Sequence, residues 1–372
     1  LLFFGVLFNY LLVSPAGAMG RFFFPALPAL AILPFYGLSR WLDLARAKSP
    51  ITKLAWATNI LLAGLTIVTL WGYLQTAYAR PSSFTIDTVV PHPTNAQFDN
   101  LVKLRGYDVN TTAVQPGDVL ELELYWEVTG QPPGNYLMFL HLIDENGIMV
   151  AQRDTHPGLG NFPSGRWQPG DQFVDKVRLH IPETMYTPST ADLSLGLYVP
   201  DGYRLGITAA DGSGLGDALV LETITLQSAA GEAPNPIQQN FNDKSALVGY
   251  EYNTQQLQPG DVLAVNLYWQ ALQKLDRNYE VEMWVCDEPC EKWMSPRAAA
   301  VHPLHPPTSA WQPGQTISDT VQLSLPGDIP AGTYFIHVAL IDPMTKEPQN
   351  ILADDGHILD NRLLLARVRL TP

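Results

Sequence analysis

The residues of this chain whose types and spacing could do chemistry are tryptophans, two cysteines, a histidine pair and scattered carboxylates. Trp126, Trp167, Trp269 and Trp311 carry flat π faces that suit the C–H face of a sugar ring. Trp126 and Trp269 alternate in phase with leucines, which assigns them to a core, where large rings dominate burial. Trp167 and Trp311 stand just before Gln-Pro-Gly turns, which can bring them nearer a rim, and they are the candidate ligand-stacking residues, with a core position as the equal alternative. Cys286 and Cys290 form a C-x3-C pair, and in an oxidising exterior their natural product is a disulfide, contributing about 2 kcal/mol on the chain-entropy model. A zinc site built from Cys286, Cys290, His302 and His305 is the sharper alternative. It lacks a counterpart in the first of the two repeats described below, so no metal is assigned.

The acidic loops DENG (144–147), DGSGLGD (211–217) and LADDGHILDN (352–361) space oxygen ligands as calcium accepts. None completes the D-x-[DN]-x-[DN]-G loop, so solvated turns are the plainer reading. Asp175 and Asp319 recur at matching places in separate repeats and do not make a carboxylate pair. Nucleophile elbow, P-loop and Rossmann fingerprints are all missing, and neither a catalytic residue nor a cofactor is assigned.

The elements that must position these residues are written twice. QPGDVLELELYW (115–126) returns as QPGDVLAVNLYW (258–269), with nine of twelve positions identical. Leu120, Leu122, Leu124 and Trp126 share one face and Glu121, Glu123 and Tyr125 the other, the period of a half-buried strand. In the turns ahead of them, Pro116 and Pro259 fix φ while Gly117 and Gly260 supply positive φ. LRGY (104–107) recurs as LVGY (247–250), and LGLYVPDG (195–202) falls opposite VALIDPMT (338–345), all at an offset of 143. RWQPGDQFVDKVRLHIP (166–182) matches AWQPGQTISDTVQLSLP (310–326) at 144, which a single-residue insertion explains. On the 143 offset, Cys286 falls on Ile143 and Cys290 on Gly147, so the pair is expected to flank a tight hairpin turn.

Two modules follow, 98–226 and 241–372, joined by the aperiodic linker 227–240. Alternating runs bounded by Pro, Gly, Asn and Asp predict two tandem all-β, immunoglobulin-like sandwiches. Residues 81–97 read as a further linker.

Residues 1–80 have a different grammar. Apolar runs at about 1–14, 22–38 and 54–76 predict transmembrane helices, and Pro25, Pro28 and Pro34 place the second inside a bundle. Apolarity from Leu1 suggests a chain that starts partway through a helix of a longer protein. A signal peptide cleaved after Ala16-Gly17-Ala18 is the competing reading, weakened by the missing basic n-region. Six basic residues against one acid give this part a net charge of +5, leaving about −19 of the total −14 on the remainder. Arg40, Arg46, Lys48 and Lys53 put loop 39–53 in the cytoplasm by the positive-inside rule. The fold class is therefore mixed, and the localisation expected is a multi-pass cell-membrane protein with residues 81–372 extracytoplasmic. An acidic exterior argues against nucleic acid, which wants a basic face.

GRFFFPALPALAIL (20–33) resembles a late transmembrane helix of the bacterial GT-C glycosyltransferases, the dolichyl-phosphate-mannose-protein mannosyltransferase-like family. The exterior modules resemble a repeat appended to such proteins in Chloroflexi-type bacteria, through Pro259–Trp269, PTSAWQPGQ (307–315) and LPGDIPAGTY (325–334). Module one departs from that pattern at PSGRWQPGD (163–171). The resemblance implies a transferase that uses a polyprenyl-phosphate-linked sugar and an envelope glycan or protein acceptor, with its catalytic carboxylate upstream of residue 1. Membrane lipid is the remaining expected partner. Arg21 is the candidate lipid-phosphate contact, its guanidinium fork matching a phosphate, with an interfacial Arg that snorkels to water as the alternative.

Overall fold

The computed structural model describes residues 36–37, 40, 50–85, 87–287 and 297–372, and the chain divides into two units, 1–79 and 80–372. In the first unit a helix runs Pro50–Ile67, loosens into a π-helical stretch at Val68–Leu74 and ends in one turn at Gln75–Ala77. Its Ala55–Ala77 stretch is long and apolar enough to cross a membrane. Trp56, Ile60, Leu65 and Trp71 are exposed along it. Asn59 and Thr66 turn their polar groups back onto the helix, donating to the carbonyls of Ala55 and Leu62 at 2.8 Å each. That internal pairing is what an apolar surrounding demands. Residues 1–35, which hold Arg21, the first expected span and nearly all of the second, lie outside the described residues.

The second unit is built of strands. Module one contains β1 (His92–Phe98), β2 (Val102–Val109), β3 (Ala113–Val114), β4 (Val119–Val128), β5 (Leu137–Asp144), β6 (Met149–Thr155), β7 (Gln172–His180), β8 (Ser189–Tyr198), β9 (Ile207–Thr208), β10 (Gly214–Gly216) and β11 (Leu219–Leu226). Module two contains β12 (Pro236–Phe241), β13 (Ser245–Tyr252), β14 (Gln256–Leu257), β15 (Val262–Ala271), β16 (Glu280–Cys286), β17 (Ala298–Pro303), β18 (Thr316–Ser324), β19 (Gly332–Ile341), β20 (Ile351–Leu352), β21 (Ile358–Asp360) and β22 (Leu363–Leu370). A six-stranded sheet β10-β9-β1-β2-β4-β7 faces a five-stranded sheet β3-β11-β8-β5-β6, and β21-β20-β12-β13-β15-β18 with β14-β22-β19-β16-β17 repeats both orders strand for strand. The sequence duplication is thus a duplication of a whole β-sandwich.

Alternation does the positioning. In β4, Leu120, Leu122, Leu124 and Trp126 are buried while the residues between them reach the surface, and β15 repeats this with Leu263, Val265, Leu267 and Trp269. The Pro-Gly turns carry Gly117 and Gly260 at φ of 86° and 88°, and the later Gln-Pro-Gly turns carry Gly170 and Gly314 at 93° and 80°. That left-handed region is open to glycine at no steric cost. The recurrent glycine of LRGY and LVGY has a different cause. The strand register shifts there, and a Cβ on Gly106 or Gly249 would lie 2.3 Å from the carbonyl oxygen of His92 or 2.6 Å from that of Pro234.

Two boundaries and one repeat offset differ from the sequence reading. β1 begins at His92, inside the expected linker 81–97, and β12 begins at Pro236, inside the expected linker 227–240. Both segments lack alternation because β1 and β12 each shift register against their neighbour, between Pro93 and Ala96 and between Pro236 and Gln239. The repeat offset also moves by more than one residue. It is 143 between Val285 and Leu142, becomes 147 between their strand partners Ala298 and Ala151, and returns to 144 at Trp311 and Trp167. The connection after Cys286 is therefore longer than the turn after Ile143, and the expected flanking position of Cys290 lies outside the described residues.

The modules do not hang on a loose tether. Tyr250 donates its hydroxyl to the Thr184 carbonyl at 2.6 Å, and Thr184 donates to the Leu364 carbonyl at 3.0 Å. Arg367 donates to the carbonyls of Met149 and Val150 at 2.6 and 3.0 Å. Asn235, in the connecting segment, accepts from the backbone and the hydroxyl of Thr187. Tyr186 packs against Tyr252 with ring centroids 4.5 Å apart. Arg367→Ala should remove charge-assisted bonds to two partly buried carbonyls and lower stability by about 1.5–3 kcal/mol, read by chemical denaturation. A loss within experimental error would show that the modules hold together without it.

Candidate functional site

Trp167 and Trp311 are both 1% exposed, so neither presents a face to a ligand. The expectation that they stack on sugar rings is corrected: each is a core plug. Their indole N–H groups donate to the carbonyls of Phe162 (3.0 Å) and Pro306 (2.8 Å). A duplicated latch holds each loop. Ser164 accepts from Tyr136 N–H and donates to the Gly134 carbonyl, and Thr308 does the same with Tyr279 and Arg277. Both hydroxyl residues are fully buried. A Ser or Thr three residues ahead of Trp is the sequence signal that would have placed these indoles inside.

The recurring aspartates sit where that same loop crosses from one sheet to the other. Phe173, Asp175, Val177 and Leu179 form the inward phase of β7, and Ile317, Asp319, Val321 and Leu323 form that of β18. A carboxylate in the apolar phase of an edge strand is a legible signal, since burying it demands a partner. Asp175 is 1% exposed and accepts the Gly158 N–H at 2.9 Å. Burial raises its carboxyl to about 6, with the Gly158 N–H and the charge of Arg153 working in the opposite direction. Asp319 instead lies 3.0 Å from His302 Nε2 and accepts the His305 N–H at 2.6 Å.

The zinc set considered from the sequence does not assemble. Cys286 is disulfide-bonded, and Cys290 lies outside the described residues. Cys286 is also five residues along β16 from Val281, the strand partner of His302. At roughly 3.3 Å per residue that is about 17 Å, too far for a shared ion. The histidines converge on Asp319 instead, and among the described residues His302, His305 and Asp319 are the group with metal-ligating geometry, their donor atoms all within 4.8 Å.

The acidic loops are self-capped turns. Asp144 accepts from the backbone N–H of Asn146 and Ile148, Asp211 from Ser213, and Asp355 from His357. Burial raises the Asp144 carboxyl against those backbone donors.

His337 is a titrating group that the sequence did not single out. It stacks on Trp284 with centroids 5.5 Å apart and planes 10° apart. Its Nε2 is buried with no hydrogen-bond partner among the described residues. Burial, then the Arg362 charge, hold its pKa down at about 4. Stability from this group is complete above about 6.5 and is lost as pH falls toward 4, because the unfolded chain takes up the proton first. After allowance for the ring's partial exposure the loss is about 1–2 kcal/mol. His337→Phe should flatten that acid limb in thermal melts between pH 7 and 4. An unchanged slope would assign the limb to other groups.

No family model matches the chain, and no curated protein matches it.

Proposed function

We propose that this chain is the membrane-tethered, noncatalytic part of a multi-span glycosyltransferase that uses a polyprenyl-phosphate-linked sugar, with its two immunoglobulin-like sandwiches standing outside the cytoplasmic membrane. In this reading the sandwiches form a stiff arm that positions an envelope glycan or protein acceptor. The observation that carries the positioning role is the lock between the modules, made by Tyr250, Thr184, Arg367 and Asn235. Support for the membrane tether is the apolar helix Ala55–Ala77. The wording of residues 20–33 supports the transferase. Four buried tryptophans, each at 1% exposure or below, favour an arm over an aromatic sugar platform.

Two measurements test this. Ser228 is exposed, and a thiol introduced as Ser228→Cys should react with a membrane-impermeant maleimide on intact cells. Transfer from a polyprenyl-phosphate sugar in membranes should fall in Arg367→Ala while the protein stays folded and inserted. Protection of residue 228 would overturn the topology, and unchanged transfer would overturn the positioning role.

A second reading, carbohydrate binding by the arm itself, is favoured by one feature. An open groove of about 750 Å³ is lined by Glu183, Gln238, Gln239, Asp354, Asp355 and His357, polar groups of the kind that read sugar hydroxyls. A glycan array on the full chain decides it: binding abolished by Asp355→Ala would favour a lectin-like arm, and no retained glycan would leave positioning alone.

A further inference from the structure

We propose that His302, His305 and Asp319 form a binding site for a divalent transition metal of the zinc class, a site that staples the two sheets of module two at their open edge. β17 is the edge of the five-stranded sheet and β18 the edge of the six-stranded sheet. Residues 303–307 carry the chain off β17 toward β18, so His302 comes from one sheet's edge, His305 from the loop between the sheets and Asp319 from the other sheet's edge.

The geometry fits a small ion. With zinc–nitrogen and zinc–oxygen bonds of roughly 2.0–2.2 Å at tetrahedral angles, neighbouring donor atoms lie about 3.3 Å apart. Asp319 Oδ2 is 3.0 Å from His302 Nε2 and 4.0 Å from His305 Nδ1, values on either side of that edge. Closing the set needs rotation of the His305 ring, whose side chain is 72% exposed and now stands edge-on to His302 with centroids 5.7 Å apart. Asp319 Oδ2 also accepts the His305 N–H at 2.6 Å. A carboxylate oxygen has a second lone pair for the metal, so this bond orients the ligand without consuming it. Two imidazoles and one carboxylate suit zinc, and the exposed side leaves a fourth position for water.

Module one is the internal control. Thr155 faces Met138 as His302 faces Val281, and Gly158 N–H meets Asp175 as His305 N–H meets Asp319. Those positions supply no imidazole, so one metal per chain is expected. The inference does not depend on the proposed function.

Zinc titrated into the full chain in detergent should bind at one saturable site by calorimetry, and cobalt in its place should give the visible bands of a tetrahedral ion. Zinc should also raise the unfolding temperature. His305→Ala should retain the native circular dichroism and weaken zinc binding by more than about 100-fold, beyond the roughly 10–100-fold that losing an outer support costs. His302→Gln should do the same independently. Absence of saturable binding would overturn the site, as would binding that the double variant His302→Gln/His305→Ala retains.

Discussion

Replacing Trp311 with alanine should destabilise the second sandwich by about 3–5 kcal/mol, the range for emptying a large buried ring. The indole is 1% exposed and lies in the continuous core shared by Trp269, Tyr250, Val265 and Ile336. Denaturant titration should show a lower midpoint with an unchanged slope, since the area exposed on unfolding barely alters. A loss below about 1 kcal/mol would mean the ring is surface-mounted. Conservative variants separate packing from hydrogen bonding. Trp311→Phe removes the indole's bond to the Pro306 carbonyl, adding about 0.5–1.5 kcal/mol. Trp269→Phe instead deletes an indole N–H that has no partner among the described residues, so it should be the milder of the two. Trp126 in module one has the same unpartnered N–H, so the same ordering should hold between Trp126→Phe and Trp167→Phe.

Asp175→Asn should make the second unit, 80–372, more stable at pH 7 than in the natural chain, by up to about 3 kcal/mol. The carboxyl is held near 6 in the fold against an ordinary 3.8, so between those values the folded state keeps a proton that the unfolded state has released. Stability from this group is therefore full below about 3.8, declines as pH rises through the window, and stays lost above about 6. Asparagine is neutral throughout and can still accept the Gly158 N–H. Its advantage should appear only as pH climbs past about 4 and should level off above 6. An equal change at pH 4 and pH 7 would refute the burial account. His337 pulls the other way across much of the same range, so the two limbs partly offset each other where they overlap. The single variants should expose them one at a time.

Much of the fold was legible because strand structure is written in local alternation. The phases of β4 and β15 could be read directly, and so could the Pro-Gly turns, because φ preferences belong to the residue and not to its surroundings. Both duplicated strands emerged with the right faces. The membrane-length helix was legible for a similar reason, since length and apolarity are one-dimensional quantities.

The candidate site was much less visible. The sequence set His302 and His305 beside Cys286 and Cys290, because spacing along the chain was the only distance it offered. It also kept Asp319 apart, compared only with its own repeat at Asp175. Trp167 and Trp311 border turns, which along the chain points to a rim, whereas the buried latch of Ser164 and Thr308 ties their loops to backbone about thirty residues away.

What the sequence by itself determined is the set of short-range facts: alternating strands, their duplication, the turns that start them, and one helix fit for lipid. Tertiary structure alone decided which face of a loop is covered, which edge strands meet, and that the two modules lock together. Those outcomes depend on contacts between residues tens to more than two hundred positions apart, such as Arg367 with Met149. The cost of closing such loops grows only slowly with length, so separation along the chain says little about which distant partners pair.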